Sequence, residues 1–216
     1  MMDIAIAAGQ PLVIVVDDDE EIRMAIAELM LSVGIEAACY ASTRELLAVP
    51  LPDRPCCLIL DVRMPGASGL DLQHHLVAAG NAKPIVFLTG HGDIPMSVQA
   101  MKAGAVDFLT KPVRDQTLID AVTAGIERDI AQSAERARVR RHVERFQSLT
   151  PREEQVLREV ARGRLNKQIA YDLGISEITV KLHRGNVMKK MEAASLGELI
   201  RAWESLPTEL REAVGT

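Results

Sequence analysis

The sequence predicts two domains, an α/β domain built on a parallel five-stranded sheet and a separate all-α domain of four helices. Short apolar runs alternate with helical segments in the first half of the chain, which is typical of a parallel sheet covered by helices on both faces. The second half contains only short helical segments. The predicted division is an α/β domain at 1–125, a helical linker at 126–147 and an all-α domain at 148–216.

Each predicted strand of the first domain is a short apolar run followed by a helix. Predicted strands lie at Pro11–Val16, Glu36–Tyr40, Cys57–Leu60, Ile85–Leu88 and Asp107–Leu109. Predicted helices lie at Glu20–Val33, Ser42–Leu47, Leu70–Ala79 and Pro95–Ala103, and a fifth begins at Thr117. Gly34, Gly80 and Gly104 each stop one of these helices. Ser42 and Glu45 have the spacing of a capping box.

The fifth helix is expected to continue through the linker. Residues 127–147 are charged, rich in alanine and free of glycine and proline, so their composition favours helix. Gly125 is the only helix breaker nearby. Partial disorder of this segment is the alternative.

The second domain has the pattern of a helix-turn-helix protein. Thr150 and Glu153 form a predicted capping box with Pro151 at the first helical position. The four predicted helices span 151–161, 166–173, 177–191 and 195–203. The two middle helices are joined by a short turn containing Gly174, which is the helix-turn-helix signature. Residues 205–216 are expected to be loose.

Composition limits the kinds of protein this chain can be. No run of 18 apolar residues predicts a membrane span, and no basic segment followed by an apolar one predicts a secretory signal. The three cysteines lack metal-site spacing and their odd number does not suit a disulfide framework. We therefore expect reduced, mostly buried thiols in a cytoplasmic protein.

Charge is distributed unevenly along the chain. Residues 1–125 carry 16 acidic and 8 basic residues, whereas residues 148–216 carry 10 acidic and 11 basic residues. Seven of these basic residues lie within 162–190. An acidic half joined to a half with a basic stripe indicates two functions, with nucleic acid as one partner; a solvated helix face is the alternative.

Polar residues follow four of the predicted strands. Asp17–Asp19 follow the first strand, Asp61 the third, Thr89 ends the fourth and Lys111 follows the fifth. The carboxyl ends of parallel strands meet at one edge of a sheet, where ligands collect. Each residue alone has a simpler explanation as a helix cap, a turn residue or a solvated lysine. Together they indicate a site for a divalent cation such as Mg²⁺ and for a phosphoryl group on a carboxylate.

Four motifs in this domain occur together, in order, in one known family. They are VVDDDEEIR, LDVRMPGASGLDL, IVFLTGHGD and AMKAGAVDFLTKP. Through them residues 11–125 resemble the flavodoxin-like receiver domains of two-component response regulators. The resemblance implies that Asp61 is a phosphoacceptor, phosphorylated by a sensor histidine kinase in the presence of Mg²⁺.

The same resemblance implies a role for each polar residue of the cluster. The implied metal ligands are Asp17, Asp18, Asp61 and the backbone carbonyl of Arg63. Thr89 and Lys111 would act with Asp61 in phosphoryl transfer, and Thr89 and Phe108 would be the switch residues. The Lys111–Pro112 bond would be cis. Asp19 has a simpler role as the cap of the first helix. Arg63 and His91 are a hypothesis for tuning the phosphoryl lifetime, with exposed loop residues as the alternative.

The third helix of the second domain presents a distinctive outer face. At 100° per residue, Val180, Val187 and Met191 fall on one side, and Ile178, Leu182, Gly185 and Lys189 on the other, with Lys181 beside them. Lysines can contact guanine edges or phosphates, and apolar groups can contact thymine methyls in a major groove. A surface for a protein partner is the alternative.

Residues 149–200 contain two further motifs of a known family, LTPREEQVLREVARGRLNKQIAYDLGISEITVKLHRGNVMKKM and SLGELI. Through them this segment resembles the LuxR/NarL-type DNA-binding domain, and with the receiver the chain is similar to the FixJ subgroup. The resemblance implies base contacts by Lys181 and Leu182. It implies phosphate contacts by Thr179, Arg184, Lys189, Asn166 and Lys167. Gly185 stands where some members have lysine, so sequence preference cannot be carried over from them.

The combined expectation is a cytoplasmic transcription regulator that is not an enzyme beyond its own phosphoryl transfer and slow dephosphorylation. Phosphorylation of Asp61 would drive homodimerisation and binding of double-stranded promoter DNA; contact with RNA polymerase is left open. A phosphatase of the haloacid dehalogenase type would need a second acid where Arg63 stands. A phosphorylation-independent regulator whose receiver docks a partner protein remains open.

Overall fold

The computed structural model describes residues 9–80, 83–90 and 93–212, and the chain divides into two compact units, Met1–Ser133 and Ala134–Thr216. The first unit contains strands β1 Leu12–Val16, β2 Glu36–Tyr40, β3 Cys56–Leu60, β4 Ile85–Thr89 and β5 Asp107–Thr110. Its first four helices are α1 Glu20–Ser32, α2 Thr43–Leu47, α3 Gly69–Ala78 and α4 Ile94–Lys102. Helix α5 is Asp115–Gln147, followed by α6 Pro151–Ala161, α7 Asn166–Leu173, α8 Glu177–Lys190, α9 Leu196–Glu204 and α10 Thr208–Glu212.

The five strands form one parallel sheet in the order β2-β1-β3-β4-β5. Every residue of β1, β3 and β4 is buried, because helices cover both faces of the sheet. Side chains alternate between two cores, so that Ile14 and Val16 pack on one face while Val13 and Val15 pack on the other. The predicted fold class is confirmed, and the strand bounds agree to within a residue.

Most predicted helix caps are present. The Asp19 carboxylate accepts hydrogen bonds from the backbone N–H of Glu21 and Ile22 and so caps α1. Thr150 and Glu153 form a complete capping box at α6. The predicted box at α2 is only half correct. The Ser42 hydroxyl accepts from the Glu45 N–H, but the Glu45 carboxylate accepts from the N–H of Ala41 instead of Ser42.

Helix α5 runs through the segment predicted as a linker, so the structure has the expected helix and not the alternative of partial disorder. It begins at Asp115, two residues before the predicted start at Thr117. Gly125 does not interrupt it. A Cβ at Gly125 would lie 2.5 Å from the Cys57 Sγ, so glycine is required there by the close approach of α5 to β3.

The expectation of a loose tail is wrong for residues 205–212. Leu206 is buried in the core of the second unit, and α10 follows it. The Arg158 guanidinium donates hydrogen bonds to the carbonyl oxygens of Leu210 and Arg211 and lies over the Trp203 ring. These non-local contacts hold a segment whose sequence has no strong helical pattern.

All three cysteines are free; Cys56 and Cys57 are buried and Cys39 is exposed, in agreement with the expectation of mostly buried thiols. Burial raises the pKa of the Cys56 thiol to about 11. Among the described residues, no helix combines the length and apolar character needed to cross a membrane.

Candidate functional site

The acidic residues that follow β1 and β3 meet at one edge of the sheet. The backbone N–H of Asp61 donates to the carbonyl oxygen of Val16 at 2.9 Å, which ties the end of β3 to the end of β1. One carboxylate oxygen from each of Asp17, Asp18 and Asp61 lies within 4.8 Å of the others. Asp17 is buried and Asp18 is exposed, so the cluster opens to solvent on one side.

Lys111 lies against the same carboxylates. Its Nζ is 2.5 Å from Asp17 Oδ2 and 3.2 Å from Asp61 Oδ2. Burial lowers the pKa of Lys111, but hydrogen bonds and charge attraction from Asp17 and Asp61 outweigh burial and raise it above its ordinary value. Lys111 is therefore a fixed cation. Three carboxylates and one ammonium leave an excess of two negative charges.

This donor set suits Mg²⁺. Carboxylate oxygens are ligands that hard divalent cations prefer, and an excess of two negative charges matches a divalent ion. The backbone N–H of Arg63 donates to Asp61 Oδ1 at 3.1 Å, whereas Lys111 contacts the other oxygen, Oδ2. The two contacts together fix the orientation of the Asp61 carboxylate. The Arg63 side chain is exposed.

Two further predicted residues lie on neighbouring strands. Thr89 is the last residue of β4 and is buried. Phe108 on β5 pairs in register with Phe87 on β4, and their ring centroids are 5.9 Å apart. Phe108 is half-buried. The Lys111–Pro112 peptide is cis, as the resemblance implied. His91 lies outside the described residues.

Gly69 is a residue that sequence reasoning missed. It is the first residue of α3, after Ser68 at the N-cap. A Cβ at Gly69 would lie 2.3 Å from the Asp61 carbonyl oxygen and 3.1 Å from the Phe87 Cε1. The absence of a side chain thus lets α3 approach the backbone of Asp61. Its only signal in the sequence was its place inside the motif LDVRMPGASGLDL.

The second unit contains the predicted helix-turn-helix. Gly174 ends α7 in the left-handed region at φ 63°, which glycine adopts without strain. The Ser176 hydroxyl then caps α8 by accepting the N–H of Thr179. Val180 and Val187 of α8 are buried, whereas Ile178 is 80% exposed and Leu182 is 62% exposed. The predicted inner and outer faces of this helix are confirmed.

The lysine and arginine residues of α7 and α8 fall into two groups. Lys190 pairs with Glu153 at 2.7 Å, and the Arg184 guanidinium donates to Asn166 Oδ1 at 2.7 Å. These contacts hold α8 against α6 and α7. The second group is exposed and, within the described part of the chain, forms no ion pair; it consists of Lys167, Lys181 and Lys189. Thr179 is half-buried beside Ser176.

The pair of Glu153 and Lys190 makes the stability of this unit depend on pH. Burial raises the pKa of Glu153, but hydrogen bonds from Lys190 and Thr150 outweigh it and lower the pKa from 4.5 to about 2. The stabilisation of the second unit by ionised Glu153 is therefore complete above the unfolded-state pKa and is lost as pH falls from about 4.5 towards 2.

We expect Glu153→Gln to flatten the pH dependence of the free energy of unfolding of the second unit between these pH values. Urea titrations followed by the fluorescence of Trp203, the only tryptophan, would measure it; parallel curves for both proteins would contradict this expectation.

Comparison with known families agrees with both units. Residues 13–123 match the family described as response regulator receiver domain, and residues 147–203 match the bacterial regulatory proteins of the luxR family. The chain belongs to the two-component response regulators that join a receiver to a LuxR-type DNA-binding domain.

Individual relatives match along most of their length. Nodulation protein W of Bradyrhizobium diazoefficiens is 51% identical, over 93% of this chain and 88% of its own length. The response regulator protein TodT of Pseudomonas putida is 46% identical over 91% of this chain and 86% of its own. The transcriptional regulatory protein FixJ of Azorhizobium caulinodans is 44% identical over 87% of this chain and 89% of its own.

Two solved structures match this chain over nearly their whole length. The response regulator StyR superposes with a TM-score of 0.80 at 45% identity, covering 91% of this chain and 99% of that one. Full-length FixJ from B. japonicum has a TM-score of 0.52 at 36% identity, covering 90% of this chain and 96% of that one.

Proposed function

We propose that Asp61 accepts a phosphoryl group from a sensor histidine kinase and thereby switches sequence-specific DNA binding by this cytoplasmic regulator. The observation that carries the proposal is the position of the Asp61 carboxylate, beside Asp17 and Asp18 on one side and Lys111 on the other. A carboxylate so placed can act as a nucleophile, because neighbouring cations offset the negative charge of an incoming phosphoryl group.

The residues would share the chemistry of transfer. An Asp61 oxygen attacks phosphorus, the bond from phosphorus to the kinase histidine breaks, and the imidazole leaves. Mg²⁺, held by Asp17, Asp18, Asp61 and the Arg63 carbonyl, would supply positive charge at the transferred oxygens. The Lys111 ammonium group would leave Asp17 and Asp61 and would bind the phosphoryl oxygens instead. Water later hydrolyses the acyl phosphate, and no other enzymatic reaction is proposed.

The phosphoryl group would then change a surface of the receiver. Thr89 would move its hydroxyl towards the phosphoryl oxygens, and Phe108 would turn into the space that Thr89 vacates. This change would reshape the surface at 95–109, which would dimerise the receiver or release the DNA-binding domain. Local charge acting on a two-state surface is a common basis for such control.

Dimerisation would place two copies of α8 on half-sites about one helical turn apart. Lys181 and Leu182 would contact base edges. The proposed phosphate contacts are those of Thr179, Arg184, Lys189, Asn166 and Lys167. Functionally, residues 1–125 would form the receiver, 126–147 the helical linker and 148–216 the promoter-binding domain. RNA polymerase is a further proposed partner.

Phosphodonor treatment of two proteins tests the proposal. Wild type and Asp61→Asn are each treated with acetyl phosphate with and without Mg²⁺. Intact mass, oligomeric mass and affinity for duplexes selected from a randomised pool are then measured. We expect only the wild type to gain a phosphoryl mass, to dimerise and to bind DNA more tightly, and only with Mg²⁺. If both proteins bind DNA equally at all conditions, the receiver acts as a docking module and the switch is wrong.

A further inference from the structure

The outer face of α8 has a composition that neither folding nor phosphate binding explains. Ile178, Leu182, Gly185 and Lys189 follow one another at spacings of four, three and four residues, so they lie in one row along the helix. Ile178 is more exposed than Leu182, and both are among the large apolar side chains that the fold leaves in water. We define the apolar row as Ile178, Leu182 and Gly185.

Gly185 is not required by the fold. A Cβ at Gly185 would meet nothing within 4 Å, and its φ lies outside the left-handed region. It differs in this respect from Gly69 and Gly125, where a Cβ would collide with neighbouring atoms. A glycine inside a helix lowers stability relative to alanine. The packing of this unit gives no reason for that loss of stability at Gly185. A surface that must come very close to another molecule would explain it.

Charges beside the apolar row indicate what that molecule is. Lys181 and Lys189 flank the row, both are exposed, and within the described residues neither is paired with a carboxylate. The nearby Lys190 and Arg184, by contrast, bind Glu153 and Asn166. An apolar strip between free lysines is complementary to the major groove, where phosphates border a floor that carries the C5-methyl groups of thymine.

We propose that the apolar row contacts thymine methyl groups, so that the sites bound by this protein have A·T pairs opposite Ile178 and Leu182. Gly185 lets α8 lie close enough to the groove floor for both contacts. The four residues from Ile178 to Leu182 correspond to about 6 Å along the helix axis, close to two base-pair steps of about 3.4 Å. The two thymines are therefore expected about two base pairs apart. This inference rests on the proposed DNA-binding function.

Replacement of thymine by deoxyuridine tests the proposal, because it removes only the methyl group. The full chain, treated with acetyl phosphate and Mg²⁺, is used to select a tight duplex from a randomised pool, and each thymine is then replaced in turn. We expect a loss of about fourfold in affinity at two positions, the effect of one buried methyl group. Ile178→Ser should abolish the dependence at one position and Leu182→Ser at the other.

Glycine variants provide a matched comparison. Gly185→Ala should raise the thermal midpoint of the second unit and weaken binding to the selected duplex. Gly197→Ala, where a Cβ meets only ordinary contacts at 3.6 Å or more, should leave DNA binding unchanged. If the duplex binds but no deoxyuridine replacement matters, or if Ile178→Ser and Leu182→Ser bind as wild type, the proposal is overturned while DNA binding stands. If no duplex is retained, the DNA-binding function itself fails.

Discussion

Asp129→Ala is expected to lower the free energy of unfolding of the N-terminal unit by about 3–5 kcal/mol, the cost of removing one partner from a buried ion pair. Asp129 on α5 is 0% exposed, and its Oδ2 accepts from Lys83 Nζ at 2.8 Å and from the Cys56 N–H at 3.0 Å. Without this carboxylate, Lys83 would remain a nearly buried charge and Cys56 would lose its acceptor. Urea unfolding followed by far-ultraviolet circular dichroism measures the change.

A double replacement separates the effect of the unpaired Lys83 charge from simple loss of packing. Replacing both groups with apolar residues, as Lys83→Met with Asp129→Leu, should cost clearly less than Asp129→Ala, because no uncompensated charge remains. Trp203 fluorescence, which reports on the C-terminal unit, should shift much less than circular dichroism. A loss below about 1 kcal/mol for Asp129→Ala would mean that water reaches and solvates Lys83.

Gly69→Ala is expected to slow phosphorylation of Asp61 about 10- to 100-fold, since displacement of a reacting group by an ångström has effects of that order. The added methyl would overlap the Asp61 carbonyl oxygen, which is backbone, and would press on the buried Phe87 ring. Either α3 or the end of β3 must move. The rate of phosphorylation by acetyl phosphate with Mg²⁺, followed by intact mass, measures the effect.

Gly90→Ala serves as the control for Gly69→Ala, because a Cβ at Gly90 would meet nothing within 4 Å. Thermal unfolding of both variants separates a misplaced Asp61 from a general loss of structure. Gly69→Ala should remain folded, with a cost of about 1–3 kcal/mol for overpacking. Phosphorylation of Gly69→Ala at the wild-type rate would show that the close approach of α3 does not position Asp61.

Local patterns explain why so much of the fold could be predicted. Strand β1 is a run of five apolar residues buried on both faces, and such a run is visible without any knowledge of its neighbours. Asp19, Thr150 and Ser176 cap helices through hydrogen bonds that reach only two or three residues along the chain. The meeting of Asp61 with Asp17 and Asp18 followed from the rule that the carboxyl ends of parallel strands lie at one edge of the sheet.

The sequence by itself determined the fold class, the bounds of the strands and of α1 to α9 to within two residues, the identity of the acidic cluster and the two faces of α8. Only the tertiary structure decided which of these groups touch. Lys111 reaches Asp17 across 94 positions, and Asp129 reaches Cys56 across 73 and Lys83 across 46. The need for glycine at positions 69 and 125, and the anchoring of residues 205–212, also depend on distant neighbours. Periodicity and capping depend on residues a turn apart, whereas such contacts depend on strand register and helix packing over the whole unit.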